Sequence, residues 1–333
     1  MNLNPLSPIY GAVVAARNTL YDHCVLRTGS LQGPVISVGN LSTGGSGKTP
    51  FVILLGELLK ARGIHFDVLS RGYGRRTRGT LLVDSGGLPQ DFGDEPLLIA
   101  RRLNVSVVVG ENRYEAGRFA EEQFGMQMHV LDDGFQHRRL ARDFDIVLVT
   151  PDDARDRLLP SGQLREPLRS LQRADAVVLT SGASPEAFPL EGKVVWRLRR
   201  GIVPQKTELN IPARPVVFCG IARPQNFWLQ LRAAGIDPAA QAFFRDHHAY
   251  TEKDIRDLLQ LRQCSEAGGF ITTEKDAVNL GGYLTALAPL TVIPVKMELA
   301  DAANAVDTML RVIEERRRVH EKMPQRATGR QSS

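Results

Sequence analysis

Residues 34–50 read PVISVGNLSTGGSGKTP, and this stretch decides the fold. Pro34 to Val38 is a short apolar run with the composition of a buried strand. From Thr49 the pattern changes to TPFVILLGELLKARG, where the apolar positions recur at helical spacing. A glycine-rich loop lies between them. Gly44, Gly45 and Gly47 have no Cβ, so the backbone can turn tightly there and aim successive N–H groups at an anion. Lys48 then reaches the β- and γ-phosphates of a nucleotide, the Thr49 hydroxyl can ligate Mg²⁺, and the helix N-terminus adds a favourable dipole. Strand, loop, Gly-Lys-Thr and helix in this order define a P-loop and set it apart from a chance glycine-rich turn before a lysine. One position departs from G-x-x-x-x-G-K-[ST]: Ser42 stands where the first glycine usually falls.

Apolar strands and helical segments alternate downstream. Strands are expected at 66–70, 79–85, 105–110, 128–134, 144–149 and 174–180, with helices from GDEPLLIARRL and around 112–124. Such alternation predicts an α/β fold, a parallel sheet covered on both faces, with ligands at the carboxyl ends of the strands. The expected organisation is an amphipathic N-terminal helix (1–27), a P-loop core domain (28–190) and a β connector (191–212) made from KVVWRLRRG and PQKTELNIP. A smaller α/β domain (213–318) and a basic, disordered tail (319–333) complete it.

Composition narrows the class. With 333 residues and 43% hydrophobic content, the chain is globular and long enough for two domains. Three widely spaced cysteines, Cys24, Cys219 and Cys264, fit a reducing compartment rather than a disulfide framework, and no C-x-x-C pair suggests a metal site. The net charge of +5 is concentrated in residues 311–333, a solvated end or a contact for an acidic surface such as phospholipid or nucleic acid. Residues 8–26 place Ile9, Tyr10, Val13, Val14, Leu20, Tyr21 and Cys24 near one helical face, interrupted by Arg17, Asp22 and His23. That run is too polar for a bilayer span and lacks the basic start and cleavage site of a signal peptide. Two roles remain for it: packing on the protein's own core, or lying on a membrane surface.

Polar clusters fall at the ends of expected elements. Asp132 and Asp133 directly follow a strand, where a second acidic Mg²⁺ site belongs in P-loop enzymes; the plain alternative is an Asp-Asp-Gly turn. Asp94 and Glu95 start a helix, where carboxylates also serve as routine caps. Arg71, Arg75, Arg76 and Arg165 lie on loops suited to phosphate groups or to solvent. His247 and His248 sit side by side in RDHHAYTEKD, and either could be a structural hydrogen-bonder.

Together VGNLSTGGSGKTP, SRGYGR, GDEP, GENR, LDDGFQH, SGQLREP, DHHAY and TTEKDAV resemble the tetraacyldisaccharide 4'-kinases, the lipid A 4'-kinases of Gram-negative bacteria, over residues 8 to 300 and in that family's order. The resemblance implies ATP-dependent phosphorylation of the 4'-hydroxyl of a tetraacylated glucosamine disaccharide 1-phosphate at the cytoplasmic face of the inner membrane. It implies no nucleic-acid partner and points to no protein partner. By the same resemblance Ser42, Thr43, Gly44, Gly45, Ser46, Gly47, Lys48 and Thr49 hold the nucleotide with Arg165. Thr49, Asp132 and Asp133 would hold Mg²⁺. Asp94 matches the catalytic base, assisted by His247, with Lys48 in the catalytic set. Tyr73, Glu95, Arg113 and His137 match further active-site positions. The family itself departs from the P-loop glycine at the position of Ser42, and nothing in it matches the basic extension.

Two rivals fit less well. A GTP-driven switch needs N-K-x-D or T-K-x-D, and TEKD at 273–276 has its lysine one place late. A P-loop ATPase that couples hydrolysis to a protein partner would carry K-G-G-x-G-K, and this chain has Thr43 where that first lysine belongs.

Overall fold

The computed structural model describes residues 5–125, 128–202 and 210–322. Helix α1 (Leu6–Asp22) leads into β1 (Val35–Asn40), the glycine loop and α2 (Lys48–Lys60). Next come β2 (Asp67–Ser70), the two-residue β3 (Leu81–Leu82), α3 (Pro89–Phe92), α4 (Asp94–Leu103), β4 (Val107–Val109) and α5 (Arg113–Phe124). Strands β5 (His129–Asp132), β6 (Phe144–Val149), β7 (Ala176–Leu179) and β8 (Val194–Ile202) follow. The chain continues through β9 (Val216–Cys219), α6 (Pro224–Ala233), β10 (Ala240–Phe243), α7 (Glu252–Cys264), β11 (Phe270–Thr273) and α8 (Glu274–Leu280). It closes with β12 (Leu290–Ile293), β13 (Val295–Leu299) and α9 (Ala302–Lys322).

Among the described residues these strands make two sheets. The larger has the order β13-β8-β7-β6-β1-β5-β2-β4-β3 and is parallel except at its edges, where β3 and β13 run antiparallel to their neighbours. The smaller, β10-β9-β11-β12, is parallel throughout. Strands β1, β5 and β6 are buried along their whole length, as the centre of a sheet covered on both faces must be. Ile36 and Val38 pack with Phe51 and Leu55 of α2 on one face, whereas Val35 packs with Ala116 and Ala120 of α5 on the other. Because β1 lies between β5 and β6, the loops after β1 and β5 leave the same edge of the sheet side by side.

The chain departs from its sequence pattern in several places. Of the expected strand 79–85 only Leu81–Leu82 form a strand; Val83 N adds one bond to Val107 O (2.8 Å), and beyond it Asp84 accepts a hydrogen bond from Gly86 N (2.9 Å) in a turn. The apolar run LTVIPVKM divides at Pro294, which has no N–H to donate. Strand β12 joins the small sheet and β13 the large one. KVVWRLRRG is a strand of the large sheet, β8, with Trp196 and Leu198 in its core, rather than an arm of a separate connector. The proposed second arm lies largely outside the described residues. Helix α9 runs on to Lys322, past the expected boundary at 318, and packs against the large sheet through Ala305, Val306, Met309 and Ile313. Part of the basic extension is therefore tied to the fold at its surface: Arg316 donates to Asp143 O (2.7 Å) and Arg317 to Gly33 O (2.6 Å). The remainder of the expected tail, 323–333, lies outside the described residues.

Helix α1 stops at Asp22, four residues short of the expected 26, and its apolar stripe divides in two. Val14 and Tyr21 are buried, Tyr10 donates from its hydroxyl to Arg165 O (3.0 Å), and Asn18 donates to Glu166 (2.8 Å). Leu6, Ile9, Val13 and Leu20 face outward, with Ile9 61% and Val13 62% exposed. Among the described residues no helix is long and apolar enough to cross a membrane.

Candidate active site

At the carboxyl end of β1 the chain enters the glycine loop with Gly44, Gly45 and Gly47 at φ +77°, +59° and +85°, backbone that L side chains rarely adopt. Gly47 caps α2, and a β-carbon there would come within 2.7 Å of Met297 Cε. The loop lines a cavity of about 740 Å³, bounded on the far side by Arg223, Asp246, His247 and Lys275 from the loops and helix starts beside the small sheet.

Two carboxylates at the end of β5 differ in state. Asp133 bridges Lys48 Nζ (3.5 Å) and Arg165 (2.8 and 3.0 Å). Burial opposes its charge, but Lys48 and Arg165 outweigh burial and hold the carboxyl well below the usual range. Asp132 is buried with one oxygen on Ser70 Oγ (3.1 Å), and its Oδ1 has no hydrogen-bond partner among the described residues. Desolvation, reinforced by Glu95 and Asp133, pushes Asp132 up to about 7. A buried carboxyl with an unused oxygen beside Thr49 and Asp133 has the chemistry of a cation ligand. Among the described residues no three His, Cys, Asp or Glu side chains group to hold a metal by themselves.

The opposite wall carries a carboxylate–imidazole pair. Asp94, first residue of α4 and buried, accepts from Glu95 N (2.9 Å) and Asn279 Nδ2 (3.2 Å). His247 Nδ1 lies 3.0 and 2.9 Å from its two oxygens. Burial works against charge on both partners, yet their mutual hydrogen bond wins: Asp94 is shifted down, helped by Lys275, and His247 up. His248, by contrast, bonds Asp254 (3.1 Å) and stacks on Phe244, so the neighbouring histidine is structural.

The structure thus gathers Thr43 to Thr49, Tyr73, Glu95, Asp132, Asp133, Arg165 and His247 on one cavity, with Asp94 directly behind His247. Tyr73 tilts toward His247, with the ring centroids 5.5 Å apart. Ser42, Arg113 and His137 do not line it. Ser42 is buried beside Asn40 (3.4 Å). Arg113 is buried with its Nε unpartnered among the described residues, and desolvation lowers it to about 10 against the pull of Asp133 and Asp132. His137 is pushed down to about 4 by burial and by Arg113, Arg142, Arg139 and Arg17. Sequence reasoning missed Asn40, whose Oδ1 accepts from Lys48 (3.0 Å), and Lys275, which touches the Asp94–His247 pair. The signal for Lys275 was present in TTEKDAV, where a lone lysine stands at the start of a helix.

A glycine loop opening a helix at the centre of a parallel sheet, acidic groups on the adjacent strand and a buried carboxylate–imidazole pair across the cleft define a P-loop phosphotransferase. The family model described as tetraacyldisaccharide-1-P 4'-kinase matches residues 1–314, and the chain belongs to that family. It is 50% identical over 322 residues to a tetraacyldisaccharide 4'-kinase of Koribacter versatilis, covering 94% of this chain and 99% of that one. A tetraacyldisaccharide 4'-kinase of Aquifex aeolicus is 40% identical over 298 residues, 85% of this chain and 90% of that one. The crystal structure of LpxK from Aquifex aeolicus in complex with ATP superposes with a TM-score of 0.76 at 36% identity, covering 93% of this chain and 98% of that one.

Proposed function

We propose that this protein transfers the γ-phosphate of ATP to the 4'-hydroxyl of a tetraacyldisaccharide 1-phosphate. The observation that carries the reading is the cleft itself: the Lys48–Asp133–Arg165 cluster and the Asp94–His247 pair stand on the two walls of one cavity. The glycine loop cradles the phosphates and Lys48 neutralises their charge, so the nucleotide is held for in-line transfer. Arg165, fixed by Asp133, adds a second cation. A sugar hydroxyl is a poor nucleophile, and Asp94, oriented by His247, accepts its proton as the phosphoryl group leaves ADP.

Thr49, Asp132 and Asp133 suit Mg²⁺, which takes one or two carboxylates and otherwise keeps water and phosphate oxygens. When bound, the ion would offset charge between the phosphates. The outward stripe of α1 suits a lipid acceptor: Leu6, Ile9, Val13 and Leu20 would enter the interface while Tyr10 and Asn18 tie the helix to the loop carrying Arg165. This reading places the protein at the cytoplasmic face of the inner membrane. The test is a transfer assay with γ-labelled ATP, Mg²⁺ and the disaccharide 1-phosphate in mixed micelles. Labelled lipid supports the reading. Hydrolysis indifferent to the lipid, with no labelled lipid, favours the partner-coupled ATPase instead.

A further inference from the structure

The dyad has a third member that neither the spacing nor the family resemblance pointed out. Lys275 Nζ lies 3.1 Å from His247 Nε2 and 2.9 Å from Asp246 Oδ1, with Asp94 Oδ2 at 3.8 Å and Glu95 Oε1 at 4.0 Å. Its side chain is only 17% exposed. Burial acts against its charge, but the carboxylates of Asp94, Glu95 and Asp246 more than offset that, and its pKa is raised. An ammonium group has three donors and no acceptor. The 3.1 Å contact is therefore donation from Lys275 to an unprotonated Nε2, and a neutral imidazole must carry its one proton on Nδ1, where it faces Asp94.

The placement of Lys275 is fixed as firmly as its contacts. It sits in the first turn of α8, whose cap Thr273 accepts from Asp276 N (3.2 Å). Asp276 is fully buried and accepts from Gly220 N (2.7 Å), Tyr250 Oη (2.8 Å) and Thr273 Oγ1 (2.5 Å). Gly220 O in turn accepts from His247 N (3.3 Å). One buried carboxylate thus braces both the turn that carries Lys275 and the loop that carries His247. His247 itself has φ +59°, a costly conformation for a non-glycine residue that such bracing sustains.

We propose that Lys275 is a positioning residue for phosphoryl transfer: by donating to His247 Nε2 it holds the imidazole in the Nδ1–H tautomer, so that Nδ1–H donates a hydrogen bond to the Asp94 carboxylate and keeps it oriented and unprotonated. This rests on the role of Asp94 proposed above. The groups facing His247 are Asp94 from α4, Lys275 from α8, Asp246 from its own loop and Tyr73 from the loop after β2, with Glu95 beyond Lys275. Asp94 favours a second proton on the imidazole and Lys275 opposes it, so the tautomer is defined at a pH above the His247 titration. A tether between the two walls would also use Lys275, through Asp94 and Glu95, but would be indifferent to which nitrogen holds the proton.

The experiment uses the full chain with ¹⁵N-labelled histidine and long-range ¹H–¹⁵N spectra, the His247 signals being assigned by their loss in His247→Gln. In the unaltered protein above its imidazole titration, Nδ1 is expected protonated and Nε2 bare. In Lys275→Met the His247 titration should move to higher pH. Its kcat should fall by about a hundredfold, the low end of what a positioned proton acceptor contributes. KM for ATP should stay within about twofold. Lys275→Arg, still a donor, should restore part of kcat. The proton found on Nε2 in the unaltered protein overturns the proposal, as does a Lys275→Met titration that does not move, whatever happens to kcat. If Lys275→Met does not fold, the unaltered tautomer and Lys275→Arg decide. The spectra need no lipid, so failure of the kinase reading shows separately, as absence of labelled lipid from the unaltered protein.

Discussion

His247 Nδ1 lies 3.0 Å from one carboxylate oxygen of Asp94 and 2.9 Å from the other, although 153 residues separate them in the chain. Asp94 begins a helix beside the large sheet, and His247 follows a strand of the small one. The pair is therefore assembled from elements beside both sheets.

If the pair works as one unit, its two single losses should not multiply. Asp94→Ala is expected to lower kcat by about a hundredfold to ten-thousandfold. His247→Ala should cost less, and the double variant should match the worse single variant. Steady-state kinetics on the three proteins check this. Fully multiplicative losses would give His247 a separate task.

The two acidic sites should separate kinetically. Asp133 holds Lys48 and Arg165, so Asp133→Ala should weaken Mg-ATP binding by about tenfold to a hundredfold, the worth of a charged hydrogen-bond partner. Asp94→Ala should leave that affinity nearly unchanged. Calorimetry or fluorescence titration with nucleotide reads the difference, and equal losses in both variants contradict the assignment.

The pair should also leave a pH signature on stability. His247 has its pKa raised, so its contribution is complete below the unfolded value of about 6.5 and is lost as pH rises through the folded value. Asp94 has its pKa lowered, so its contribution is present above the unfolded value of about 3.9 and is lost as pH falls through the folded one. Melting temperatures of the unaltered protein and His247→Ala should differ most between about pH 5 and 6 and converge toward pH 9. A gap that stays constant from pH 5 to 9 would rule out the ion pair.

Helix α1 should bind lipid without holding the fold. Ile9 and Val13 are 61% and 62% exposed, so Ile9→Ser with Val13→Ser should change stability by no more than about 0.5 kcal/mol per site. Co-sedimentation with anionic phospholipid vesicles should drop sharply. Retained vesicle binding would shift the membrane contact to another surface.

Much of this was legible locally. The glycine loop, Lys48 and Thr49 follow one another within a few residues, and the helix start at Asp94 is a local capping pattern, so spacing sufficed. What needed the fold was distant pairing. Nothing in KVVWRLRRG or in VKMEL announces that Val295–Leu299 runs antiparallel to Leu198–Ile202. Arg316 and Arg317 count as loose charge in the sequence, yet their partners are a strand end and a carbonyl on the far side of the chain. The Asp94–His247 contact entered through family resemblance alone. Lys275 escaped because its segment was weighed as a base-reading motif, whereas its meaning lies in an imidazole from another loop.

The most direct measurement is the position of the new phosphate. Lipid from a reaction of the unaltered protein with Mg-ATP, analysed by ³¹P–¹H correlation, should show one added phosphomonoester coupled to H-4' of the distal glucosamine, beside the original 1-phosphate. Asp94→Ala should yield almost none of it under the same conditions. Phosphate on another hydroxyl, or release of inorganic phosphate with the lipid unchanged, would contradict the central claim that this cleft directs phosphoryl transfer to the 4'-hydroxyl.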